Sequence, residues 1–421
     1  MFPGGGDGLD TRVDFNLEDY VFALSDLSVA RYDMAGATFG NGEVVFGGGY
    51  TDEQTSSDVV EKYSLSGVKT TLTPLGNARG CLEAVTFGNG EVVFAGGRTA
   101  INMTGLTYVE KYTAAGVRTA MTPLTTGRHN FGAARIGNDA ILGGGGGASI
   151  IHNSVVRLTS AGVYTSLTNL STARQDVVAV RNSGGNILFL GGRNTDQYGF
   201  LDVVNRYSSA GNMTTISALL HPNSRLVAAA DGGGAILAGY GQTSSTDTGN
   251  INKYSSSDVR TTIYVGSSSL NTRQGRPGAA AFGEGSVIFG NYLIGSGHPV
   301  ISTSGGTARM KSLSASGHVF TSVVTDGNGD VLIAGGGGGT NPKKSVYKYV
   351  FKSIEQYSQM QLLLPKGTRY KFSSPVTLDG VVVSSPDEVI ISADFSRLTI
   401  ALPAEGYIVF KKGKVESLWR T

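Results

Sequence analysis

One cysteine, Cys81, stands in 421 residues. An internal disulfide and a cysteine metal cage are thereby excluded, and packing must hold the chain together. Tryptophan is as scarce, with Trp419 alone. Charged residues are only 16% of the chain, they balance to a formal +2, and no dense Lys or Arg run occurs. Such a chain has no broad field to draw in a nucleic acid duplex. No apolar run approaches the length of about 18 residues that spans a bilayer. The start, Met1-Phe2-Pro3-Gly4-Gly5-Gly6-Asp7-Gly8, has neither the basic nor the apolar region of a secretory signal. The expectation is a protein made in the cytoplasm without a signal peptide, with no nucleic acid partner and no membrane insertion.

Glycine, at 62 residues, is what the chain has in abundance. The segment Ala30-Arg31, followed by Gly40-Asn41-Gly42-Glu43-Val44-Val45-Phe46-Gly47-Gly48, returns 48 residues later as Ala78-Arg79 and Gly88-Asn89-Gly90-Glu91-Val92-Val93-Phe94-Ala95-Gly96. A period of about 40 to 50 residues marks a propeller, in which each repeat is a small sheet that buries its faces only against its neighbours. The turn recurs at Gly137-Asn138-Asp139, Gly184-Gly185-Asn186, Gly232-Gly233-Gly234, Gly283-Glu284-Gly285 and Gly327-Asn328-Gly329, which predicts seven blades. Asn-Gly is expected to hold φ above zero at both central positions of the hairpin. Second strands close at Gly48, Gly96, Gly144, Gly192, Gly241, Gly290 and Gly336, and third strands carry Tyr63, Tyr112, Arg157, Tyr207, Tyr254, Thr303 and Tyr347.

These features place an N-terminal arm at 1–18, a seven-bladed propeller at 19–353 and a small C-terminal β-domain at 354–421. Residues 20–24 resemble the strand at Thr70 to Leu72 but have no blade in front of them. They are expected to pair with Ser345 to Phe351 as the outer strand of blade 7, which fastens the ring and removes a free sheet edge. After Phe351 short apolar runs alternate with Pro and Gly, the pattern of a small β-sandwich or barrel. The fold class expected is all-β.

The glycine pair ending the second strand, the Tyr ending the third and the Arg before the first recur in register, and in these the chain resembles the kelch-repeat family over about residues 20 to 352. The family's Trp on the fourth strand is replaced by residues such as Thr70, Thr119 and Thr165, which makes this a divergent branch. The Gly/Ser/Thr-rich repeats, with the missing signal and cysteines, look like a bacteriophage structural protein, a tail or head appendage.

Loops before the first strands and after the second share one face of a propeller. Arg31, Arg79, Arg128, Arg174 and Arg225 fall there at positions read as equivalent. Such a ring suits a carboxylate or phosphate, or fastens each blade to backbone carbonyls and acidic side chains. Tyr50, Tyr198, Phe200, Tyr240 and Tyr292 lie in variable loops on the same face, where aromatics suit a sugar ring or a protein partner, or cover blade edges. Five scattered histidines show no metal-ligand spacing, Cys81 has no second cysteine, and Asp326, Asn328 and Asp330 lack the rest of a calcium loop. The reading is a non-catalytic binding or structural protein of the virion, without cofactor or metal. Its loops recognise a host-surface glycan or protein, and its C-terminal domain binds other virion proteins or itself. A free lectin and a polysaccharide-acting enzyme are the alternatives.

Overall fold

The computed structural model describes residues 21–100, 102, 104–195, 199–231, 233–241, 250–264, 278–282, 286–289, 298–302, 307–310, 322–337 and 341–350, and eight strands between 360 and 419. Every regular element among them is a strand.

Blade 1 is Ala35–Thr38, Val44–Gly47, Val60–Tyr63 and Lys69–Thr71, four antiparallel strands in chain order. Blades 2 to 5 repeat it, with first strands Glu83–Thr86, Gly132–Ile136, Val178–Arg181 and Val227–Ala230. The last blade is Ser322–Thr325, Val331–Ala334 and Val346–Tyr349, with Val21–Ala23 as its fourth strand. These six four-stranded sheets are described through every ladder. Between the fifth and the last stand Ala279–Ala281, Ser286–Phe289 and His298–Ser302, paired in that order. First strands sit side by side from Ala35–Thr38 round to Ser322–Thr325 and back, so the propeller is a closed ring.

Closure is made by the chain's beginning. Val21, Phe22 and Ala23 pair with Tyr349, Lys348 and Tyr347. The Leu24, Leu27 and Arg31 amides then donate to the carbonyls of Val346, Lys344 and Lys343. Leu27, Met34, Val44, Phe46 and Tyr63 bury themselves against Val324, Leu332, Ala334 and Val346, so the seam has a core like any other joint. Tyr20, at the start of the expected strand, lies outside the described residues.

Each blade is apolar where it is covered on both faces. The second strand of blade 1, Val44–Gly47, is buried at every position, whereas its outer strand Lys69–Thr71 faces water. The hairpin glycines act differently from expectation. In Phe39 to Glu43 only Gly42 is left-handed, at φ 87°. The Gly42 amide donates to Phe39 O at 2.8 Å and the Phe39 amide to Glu43 O at 2.7 Å. This is a tight turn followed by a glycine bulge rather than a turn with two left-handed residues.

Ladder register also corrects two third-strand positions. Tyr63, Tyr112, Tyr207 and Tyr254 pair with the first residue of their second strands, and Leu158 and Tyr349 hold that place in blade 3 and in the last blade, not Arg157 and Tyr347. Arg157 instead shares the place of Lys62 and Lys111, one residue earlier. The lysines at this place clasp blades together. Lys62 meets Glu43 at 2.8 Å and reaches Ala114 O of the next blade. Lys111 does the same with Glu91 and Ser160 O, and Lys348 with Asp326 and Leu65 O, the last across the seam.

The chain divides into two compact units, Glu18–Gly305 with Lys311–Val350, and Met1–Leu17, Gly306–Met310 and Phe351–Thr421. In the second, Met360–Leu362, Leu398–Ala401, Val376–Leu378 and Val381–Val383 form one sheet in that order. Arg369–Lys371 pairs with Glu388–Ile390, and Tyr407–Lys411 with Lys414–Trp419.

Candidate functional site

The repeated arginines lie inside the blades. Arg31, Arg79 and Arg174 are wholly buried and Arg128 nearly so. Arg31 donates to the carbonyls of Gly48 and Val59 and meets Glu61 Oε2 at 2.7 Å. Arg79 repeats this with Gly96 O and Glu110 Oε2 at 3.1 Å. Arg128 takes Gly144 O and both oxygens of Ser154, and Arg174 takes Phe189 O and Asn205 Oδ1 at 2.9 Å. Their own carbonyls accept the amides of Gly336, Gly49, Gly97 and Gly145, the second glycine of the preceding blade's pair. A residue so placed fastens its blade and offers no free fork to a ligand.

Arg225 does not belong to that set. Gly192 of blade 4 donates to Asn223 O, so Asn223 holds the arginine position in blade 5 and Arg225 lies two residues beyond it. The residues in register with Arg225 are Asp33, Cys81, Asn130 and Asp176. All five are left-handed, at φ 54°, 52°, 53°, 57° and 55° respectively. They lace the ring: the amides of Cys81, Asn130, Asp176 and Arg225 donate to the carbonyls of Asp33, Cys81, Asn130 and Asp176 in turn. A non-glycine residue in this conformation costs roughly 1–2 kcal/mol. Glycine would make the same hydrogen bonds without that cost, yet none of the five is glycine in a chain with 62 of them.

These residues rim a cavity of about 240 Å³ at the upper end of the channel, where the first strands begin. Below them the wall is small: Gly36, Ala84, Ala133, Ala179 and Ala228. The rim is polar and charged. Asp176 Oδ2 accepts from Arg193 and lies 3.5 Å from Arg225 Nε. Burial, then Arg193 beside it, pushes the Arg225 guanidinium down. The Cys81 thiol donates to Asp33 Oδ2 at 3.6 Å. Asn130 Oδ1 accepts no hydrogen bond among the described residues.

Tyr50 is only 3% exposed. Its ring lies 5.5 Å from that of Tyr32 and under the Arg98 guanidinium at 5.9 Å, and its hydroxyl donates to Arg98 O. It supports the rim and presents no open face on which a sugar could stack. Tyr240, left-handed at φ 45° where other blades have glycine, turns its ring edge-on to Phe289 at 5.0 Å, between blades 5 and 6. Phe200 is half-buried, bridged through its backbone to Arg193. Tyr198 and Tyr292 lie outside the described residues. The rim itself escaped sequence reasoning, because Asp, Cys, Asn, Asp and Arg share no letter; only a constant distance behind the buried arginines marks them.

No protein-family model matches the chain, nor does any curated protein, so the kelch and bacteriophage resemblances are not confirmed. Solved structures do match. A streptogramin B lyase shares 12% identity at TM-score 0.54, over 78% of this chain and 96% of that one. A catalytically inactive virginiamycin B lyase from Staphylococcus aureus, with quinupristin, matches at 12% identity and TM-score 0.54, over 78% and 98%. A selenomethionine-substituted form of that lyase gives 14%, 0.53, and again 78% and 98%. At such identity the likeness shows the fold, a β-propeller. It also corrects the expectation that the chain is not an enzyme. That expectation rested on the lack of a recognisable catalytic or metal motif, and the architecture is one that a lyase uses.

Proposed function

We propose that this is a recognition propeller that takes a small, hydroxyl-rich ligand, such as one residue of a host-surface saccharide, at the rim made by Asp33, Asn130, Asp176 and Arg225. One observation carries the reading: five consecutive blades accept left-handed strain to keep non-glycine side chains at a mouth where glycine would serve the backbone better. Carboxylates, an amide and a guanidinium in one ring offer both acceptors and donors to vicinal hydroxyls. The cavity, about 240 Å³, is below the roughly 300–1,000 Å³ of a drug-sized pocket, which favours a single sugar unit or a chain end.

The setting that composition favours is a bacteriophage particle, a tail or head appendage attached through residues 354–421 to other virion proteins or to a second copy. A glycan array probed with the full chain tests the site. Binding should occur and should be lost in Asp33→Gly and Asn130→Gly. Their melting temperatures should stay within a few degrees of the parent, because relief of strain offsets the flexibility that glycine adds to the unfolded chain. Glycine variants that still bind would place recognition elsewhere. Mass spectrometry of the captured glycan shows whether it is also cleaved. Immunogold labelling of the C-terminus on purified particles separates a virion component from a free lectin.

A further inference from the structure

The lower end of the channel, where the first strands finish, carries a second pattern. The last channel-facing position of these strands is Thr38, Thr86, Arg135, Arg181, Ala230, Ala281 and Thr325. The threonines lace neighbouring blades: Thr86 donates to Thr38 O at 2.6 Å, Thr38 to Thr325 O, and Thr325 to Ala281 O at 2.6 Å. Blades 3 and 4 break the lacing and set two guanidinium groups on adjacent strands instead. Neither makes a hydrogen bond or ion pair among the described residues, and Arg181 Nε is shielded from water with no partner. Burial lowers the Arg181 pKa and the charge of Arg135 on the adjacent strand lowers it further.

The carboxylates of the surrounding turns are already engaged. Asp139 holds Arg157, Glu91 holds Lys111, and Asp258 holds Arg206. Asp231 Oδ1 accepts the Ala235 amide within its own turn. The Gly184-Gly185 turn lies beside Arg181, where a Cβ on Gly185 would touch Arg181 Nη2 at 3.4 Å. Two like charges held together without a counter-charge are unfavourable unless something anionic joins them.

We propose that Arg135 and Arg181 form an anion site for a phosphate group, free or as a phosphoester, at the end of the channel opposite the saccharide rim. Two guanidinium forks match a dianion with three peripheral oxygens better than a single carboxylate, which carries half the charge. The inference stands independently of the upper-rim reading.

Calorimetry of the full chain in chloride, inorganic phosphate or glycerol 3-phosphate at matched ionic strength is the test. Phosphate should raise the melting temperature by roughly 2 °C or more at saturation, through binding to the folded state alone. Glycerol 3-phosphate acting at lower concentration than phosphate assigns the site to phosphoesters, and the reverse order assigns it to the free ion. The double variant Arg135→Thr, Arg181→Thr carries the residues that blades 1 and 2 use and should fold and lose the response. Arg135→Gln, which changes one side chain only, should weaken the response at least tenfold in concentration. No response in the parent beyond chloride, or an equal one in the double variant, overturns the proposal.

Discussion

Blades 1 and 2 and blades 3 and 4 bury the same arginine in the same place and answer its charge differently. In the first pair the partner is a carboxylate, Glu61 or Glu110. In the second it is a hydroxyl or an amide, Ser154 or Asn205. Burial without an opposing charge pushes both Arg128 and Arg174 down to about 10, against a partial answer from Glu61 and Glu110 in the other two. The partner has a second duty in three of these four blades. Glu61, Glu110 and Asn205 each accept a linker amide, from Ser28, Gly76 and Ser171. In blade 3 that register place is Val156, and Ser154, two residues earlier, supplies the hydroxyl instead; of these four blades two supply a charge.

The largest effect should come from breaking the charged version. Arg31→Met or Arg79→Met leaves a buried carboxylate with only the partly exposed Lys69 or Arg118 to answer it and should cost about 3 kcal/mol. Arg128→Met leaves no charge stranded and should cost about 1–2 kcal/mol. Urea unfolding of the three variants reads the difference, and equal losses would mean that the carboxylate adds nothing. Next in size is a conversion of one version to the other. Asn205→Asp gives Arg174 a carboxylate that still accepts from the Ser171 amide, while the Thr215 hydroxyl, which accepts from Asn205 Nδ2, turns to donate to it, and the change should stabilise by about 1 kcal/mol at pH 7. A destabilised variant would show that desolvation outweighs attraction there.

The smallest is a pH effect confined to blade 3. His152 and Ser57 hold matching places, their carbonyls accepting the Arg174 and Arg79 amides. Burial, then the nearby Arg128, lowers the His152 pKa against a small opposing pull from Gly127 O. A histidine whose folded pKa is depressed binds fewer protons folded than unfolded. Its contribution is therefore full above the unfolded value near 6.5 and is lost as pH falls below it, with a slope of at most about 1.4 kcal/mol per pH unit. Melting curves of the parent and of His152→Gln between pH 7.5 and 5 should diverge in that direction.

The propeller was legible because its backbone needs glycine at fixed points. Gly48 and Gly49 are left-handed, at φ 70° and 104°, and a Cβ on Gly48 would lie 2.5 Å from Arg79 O. Such demands write the same letter into each repeat. The closing strand was legible for a related reason, since Phe22 to Leu24 belong to a pattern that had no first half. The two channel mouths were not legible. Their positions are set by register, and the letters there change from blade to blade. Aligning by residue type drew Arg225 into the arginine set, whereas the carbonyl that receives Gly192 belongs to Asn223. Arg135 and Arg181 were passed over for the same reason, as departures from a threonine that itself repeats only three times.

The seam has a mechanical consequence. Val21 lies opposite Tyr349, so the two points at which the chain leaves the ring are neighbours at one end of the same ladder. Tension between them would part the hydrogen bonds one after another, as a zip opens, instead of loading them together. The joint that closes the circle is thus also its weakest point under pull. Optical-trap stretching from those two points should open it at lower force than stretching across any other blade.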